Sequence, residues 1–177
     1  VGSEMCIRDR LKPSEGMSMG FFSRLFRWDD NAAPASRPAD TTASELGLDA
    51  ATAKAVLAEL DIDTAISAHE NWSHRLQAVL KGTSTEQLQP ELVCLDDRCD
   101  LGKWLHGPGR DRLGKYPAFS VLVARHKHFH LEASTVLTLA QTGEKDKAEQ
   151  KLQSGYRHAS TQVVLLLKEL KRGLGQR

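Results

Sequence analysis

Pro117-Ala-Phe-Ser-Val-Leu-Val-Ala-Arg-His126-Lys-His-Phe-His130-Leu-Glu-Ala-Ser-Thr-Val-Leu-Thr-Leu-Ala-Gln-Thr142 decides the fold class. Its apolar positions Phe119, Leu122, Val123, Ala133, Leu137 and Ala140 recur at helical spacing, and His126 and His130 fall on the same stripe. Arg125, Lys127 and Glu132 point elsewhere. Pro117 suits the first turn, where its missing N–H has no intrahelical partner to lose, and Gly143 follows the predicted end at Thr142. The stretch therefore reads as one long amphipathic helix that needs partners to bury its face.

Those partners lie on either side. Upstream, Ile62, Ile66, Leu76 and Leu80 recur at spacings of four, ten and four, with His69 on their stripe, and Gly82-Thr-Ser-Thr85 ends that helix. Turn formers and Pro90 then predict a loop as far as Asp97. Asp100 to His106 has room for one or two helical turns before the breaker Gly107-Pro108-Gly109. Downstream, a last helix from about Glu144 to Lys171 carries Ala148, Leu152, Ala159, Val163, Leu166 and Leu170. No segment alternates as a strand does, and there is no internal repeat. Three long amphipathic helices and a short one predict an all-α, four-helix-bundle-like domain, with Cys99 carried by the short helix.

That folded unit is expected over residues 45–177. Residues 1–16 show no periodicity and precede a second start, Met17-Ser-Met19-Gly20, so they are read as a non-native extension that includes Cys6. Residues 17–28 contain Phe21-Phe-Ser-Arg-Leu-Phe-Arg-Trp28, a short amphipathic segment suited to weak membrane-surface contact or to a partner. Residues 29–44, rich in Ala, Pro, Thr and Asp, read as a flexible linker.

Composition narrows the function classes. Among 177 residues, 24 Lys and Arg face 23 Asp and Glu, and a net charge of +1 gives no whole-chain case for nucleic acid. No run of about 18 apolar residues is present to span a membrane. Three cysteines form an odd set with no signal sequence before them, which argues against a disulfide framework and for a soluble chain in the reducing cytoplasm.

The chemistry begins with His126, His128 and His130. A helix advances about 100° per residue, so His126 and His130 share a face while His128 points nearly opposite and reads as exposed. Imidazoles four apart suit one zinc ion, although such a pair alone is more often hydrogen-bonded core. His69 adds a third imidazole from another buried stripe. Cys99, beside Asp97, Arg98 and Asp100, adds a soft thiolate whose burial without a cation would be costly. Three His and one Cys complete a tetrahedral donor set for Zn2+.

Taken together, His69-Glu-Asn-Trp72, Cys99-Asp-Leu-Gly-Lys-Trp-Leu105 and His126-Lys-His-Phe-His130 resemble the chemoreceptor zinc-binding domain family. The order agrees, with intervals of 30, 27 and 4 residues between His69, Cys99, His126 and His130. The resemblance covers roughly residues 60 to 170 and implies a zinc site at those four positions, leaving Cys94 and His106 as bystanders. It also implies a cytoplasmic regulatory module that senses zinc or oxidants, tied to bacterial chemotaxis or cyclic-di-GMP signalling, and a homodimer. No signalling coiled coil or cyclase domain fits in the chain, so its output is expected to pass through a signalling partner or through dimerisation. Cys99 is the switch candidate, because a zinc-held thiolate is the oxidisable form.

Three alternatives remain at this stage. One is a purely structural zinc in a partner-binding adaptor, since closed four-ligand sites are usually structural. The second is a zinc hydrolase, disfavoured because Lys127, His128 and Phe129 fill the positions where H-E-x-x-H enzymes place their Glu. The third is a di-iron bundle, for which the Glu-x-x-His pairs are missing. No catalytic residue is expected. Trp72 and Trp104 are read as core, and Asp97 and Asp100 as solvated more than as partners of a ligand imidazole.

Overall fold

The computed structural model describes residues 48–175 and contains no strand among them. The segments 1–16, 17–28 and 29–44 therefore lie outside the described residues. The elements are α1 (Ala50–Glu59), α2 (Ile62–Leu80), α3 (Pro90–Val93), α4 (Asp100–His106), α5 (Pro108–Leu113), α6 (Pro117–Gln141), α7 (Lys145–Lys151), a π-helical turn (Leu152–Tyr156) and α8 (Arg157–Gly173). The all-helical expectation holds. No helix among the described residues is long and apolar enough to cross a membrane.

Helix α6 begins and ends as its sequence predicts. Pro117 occupies its first turn. At its end Gly143 adopts φ 82, a left-handed conformation that favours glycine, while the Glu144 N–H donates to the Leu139 carbonyl at 2.9 Å. Phe119, Leu122, His126, His130, Ala133 and Leu137 are buried as expected. Phe129 and Val136 are buried too, because α2, α8, α3 and α7 together surround more of α6 than a single stripe. Glu132, expected to point away, is also buried, and Lys151 of α7 compensates its charge at 2.7 Å.

Four further corrections concern the other elements. A separate helix, α1, precedes the first predicted one; Asp49 caps it by accepting from the Thr52 N–H at 2.8 Å, and Val56 anchors it in the core. Gly107 does break the chain direction, yet Pro108 immediately starts α5, with Gly109 lying flat against the Trp104 ring. The final helix is interrupted by the π turn, at whose end Tyr156 is buried. Downstream of it, Leu167 is buried where Leu166 was expected, and Leu166 is only partly covered. Finally, the predicted loop before Asp97 includes the one-turn helix α3, started by Pro90.

That loop is strapped along α6. Gln141 Nε2 donates to the Leu88 carbonyl, Ser134 Oγ to the Pro90 carbonyl and His130 Nδ1 to the Val93 carbonyl, each at 2.8 Å. These contacts bring the segment that leads into Cys99 against the middle of α6.

Candidate metal centre

Three elements meet at one point. His69 comes from the buried face of α2, His126 and His130 from α6, and Cys99 from the residue that caps α4. One donor atom from each lies within 4.8 Å of all the others. His126 Nε2 is 3.3 Å from Cys99 Sγ and 3.2 Å from His130 Nε2. Zinc–nitrogen bonds of about 2.0–2.1 Å give a tetrahedron with N–N edges of about 3.3 Å, so the ring spacing is that of ligands around one ion.

Proton positions argue in the same direction. His69 Nδ1 lies 2.7 Å from the Ala65 carbonyl and His130 Nδ1 lies 2.8 Å from the Val93 carbonyl. A carbonyl only accepts, so both Nδ1 atoms carry the proton and both Nε2 atoms present lone pairs. The Nε2 of His69 is buried without any hydrogen-bond partner. His126 Nδ1 faces the Asp96 carboxylate at 3.9 Å, and its Nε2 lies on the cluster side of the ring. The Nε2 lone pairs of His69 and His130, the Nε2 of His126 and the Cys99 sulfur thus converge, an arrangement that a bound cation satisfies. The donor set of three N and one S fits zinc.

The electrostatics suit ligation. Burial holds His69 and His130 down at about 4, with the Ala65 and Val93 carbonyls opposing, so both rings are neutral near pH 7. Burial also lowers His126, against the opposing pull of Asp96. The Cys99 thiol is pushed up, first by burial, so a thiolate there needs a cation. Its sulfur accepts from the Gly102 N–H at 3.2 Å, the first turn of α4.

Neutral buried imidazoles couple the metal-free fold to pH. Their protonation is depressed in the folded state, so the unfolded chain takes up more protons as pH falls from about 6.5 through about 4, and stability drops over that window. We expect urea midpoints of the chelator-treated protein to be lower at pH 5 than at pH 7.5; equal midpoints would contradict buried neutral rings.

Around the four donors the packing is aromatic. The Phe129 ring lies 5.0 Å from that of His69, 5.3 Å from that of His130 and 5.5 Å from that of Tyr156, and Trp72 meets it edge-on at 6.4 Å. Trp72 is covered by the Arg75 guanidinium at 3.9 Å, and Trp104 packs edge-on against Phe119. Trp104 is therefore a core residue, as read from the sequence, whereas Trp72 is partly buried and packs against the core. His128 lies away from the cluster but is half-buried instead of exposed.

Two residues near the donors, Asp96 and His106, make contacts that the sequence did not point to. Cys94 does not join the cluster, as expected, and Cys99 is free. The carboxylate near the ligands is neither Asp97 nor Asp100, whose side chains are 62% and 100% exposed, but Asp96 at 17%. Burial opposes ionisation of Asp96, yet its contacts with His126 and His106 hold its carboxyl well below the usual range. His106, set aside as a bystander, reaches Asp96 Oδ2 from α4 at 2.8 Å.

The fold and these donors make a helical domain with a candidate metal site formed by four residues. Residues 69–137 match the family model of the chemoreceptor zinc-binding domain. No curated protein and no solved structure matches the chain.

Proposed function

We propose that the chain is a zinc-dependent regulatory domain, with His69, Cys99, His126 and His130 as ligands and Cys99 as the element that responds. The observation that carries this reading is the clustering of one donor atom from each of the three imidazoles and the Cys99 sulfur within 4.8 Å of one another. Bound zinc would supply the positive charge that keeps Cys99 as thiolate. An oxidant such as hypochlorous acid then has a defined target: the Cys99 thiolate attacks the oxygen-bearing electrophile, sulfur is oxidised by two electrons to sulfenic acid, and chlorine leaves as chloride. The sulfenic acid is a poorer ligand, and the four-donor set weakens.

The ligands come from separate elements, so weakening them frees α2, α4 and α6 to shift against one another. Helix α8 packs on both α2 and α6, and Phe129 joins the His69 and His130 rings to Tyr156 at the root of α8. A change at the metal therefore has a packed route to the surface. Zinc availability acts on the same equilibrium. We assign the output to a homodimer or a signalling partner in bacterial chemotaxis or cyclic-di-GMP signalling, in the cytoplasm, and assign no catalytic role.

The closed donor set favours a second reading, a zinc that only staples the helices of a partner-binding adaptor. Metal analysis during titration with hypochlorous acid separates the two. The sensing reading expects the protein to release zinc at near-stoichiometric oxidant and to change helix packing as it does so. Retention of zinc under excess oxidant would leave only zinc sensing or the staple.

A further inference from the structure

We propose that Asp96 is a positioning residue of the metal centre, holding His126 with Nε2 toward the metal, and that His106 holds Asp96 in place from the surface. This rests on the zinc reading above.

The three ligand imidazoles are oriented by different means. His69 and His130 each turn Nδ1 to a backbone carbonyl, supplied by Ala65 and Val93. His126 instead turns Nδ1 toward a carboxylate, at 3.9 Å, and has no hydrogen-bond partner there. It is also the ring at the centre of the cluster, the one within 3.3 Å of Cys99 Sγ and 3.2 Å of His130 Nε2. Its orientation consequently sets two of the inter-ligand distances.

Charge supports the assignment. Zinc with one thiolate and three neutral imidazoles carries a net positive charge in a site where the His126 side chain has no exposure. The Asp96 carboxylate would neutralise that charge, which a backbone carbonyl cannot do.

Asp96 is itself held at both ends. Its carbonyl packs so closely on Gly102 that a Cβ there would lie 1.7 Å from the oxygen. Its carboxylate is held by His106 Nε2 at 2.8 Å, on a side chain 40% exposed. The chain of contacts His106–Asp96–His126 thus runs from solvent to the ligand cluster, and α4 contributes both its outer member and, at its cap, Cys99.

Zinc competition against a chromogenic chelator, with the full chain, tests this. Asp96→Asn keeps the shape and removes the charge, and should weaken zinc binding by about 10–100-fold, the usual effect of losing a partner of a ligand histidine. The visible spectrum of the cobalt-loaded variant should shift, which a remote loss of stability would not cause. Asp97→Asn, one residue away and exposed, should match wild type. His106→Ala tests the same contacts from the surface without altering the buried turn and should weaken binding several-fold, while His106→Gln, which can still donate to Asp96, should restore it.

Wild-type affinity and an unshifted cobalt spectrum in Asp96→Asn would overturn the proposal, as would equal losses in Asp97→Asn. Wild-type affinity in His106→Ala would overturn the role of His106. Should the wild-type protein itself hold no zinc, the reading of the centre fails and this assignment fails with it.

Discussion

Replacing Cys99 by serine is expected to weaken zinc binding by about two orders of magnitude and to abolish any release of zinc driven by oxidant. Four-ligand structural sites bind with about 10–16 kcal/mol in all, so losing one strong donor costs on the order of 3 kcal/mol, or about a hundredfold. Serine keeps the size and the capping position but presents a neutral hydroxyl, which neither matches zinc's affinity for sulfur nor offsets its charge. His69, His126 and His130 would remain, so residual binding is expected, not none. Metal content after dialysis and chelator competition measure this directly. Unchanged zinc content in Cys99→Ser would sink the four-ligand model and revive a centre with an open position.

The second large effect is expected at Gly102. An alanine Cβ there would sit 1.7 Å from the Asp96 carbonyl oxygen, 2.8 Å from its carbon and 3.1 Å from the Asp97 Cα. All three are backbone atoms, so no rotamer change relieves the overlap. Overpacking in a core usually costs about 1–3 kcal/mol, and a clash with backbone belongs at or above the upper end. Gly102→Ala should therefore lower the urea midpoint and weaken zinc binding together. The shared cause is the turn from Asp96 to Cys99: displacing it moves the Cys99 sulfur from the Gly102 N–H and the Asp96 carboxylate from His126. By contrast, Gly143→Ala meets open space and only strains a positive φ, so it should lower stability mildly and leave zinc affinity alone. A Gly102→Ala protein with wild-type stability and affinity would contradict the close approach.

Comparing these two sites shows how far local sequence reaches. The long helix α6 was legible from Pro117 to its end at Gly143, because caps, breakers and apolar spacing act within a few residues of chain. His126 and His130 followed from 3.6-residue periodicity, which also turned His128 away from them. Where a second layer packs, the same reasoning failed. Glu132 looked solvent-facing until Lys151 covered it, and Leu166 looked buried although Leu167, four residues after Val163, takes the core position. Helical periodicity allows either three or four residues after Val163, and only the packing of α8 on α2 and α6 decides between them.

By itself the sequence determined that the described residues are helical, which histidines share a face, and that residues 69–137 resemble a chemoreceptor zinc-binding domain. These are properties of local spacing. Only the tertiary structure decided that His69 Nε2 is left without a partner, that Val93 and Ala65 set two imidazole tautomers, and that Asp96 rather than Asp97 or Asp100 faces His126. A carboxylate three residues before a cysteine carries no local sign of its direction. That direction is set by the strap of residues 88–93 along α6 and by the contact of the Asp96 carbonyl with Gly102, interactions between parts of the chain that no short-range pattern encodes.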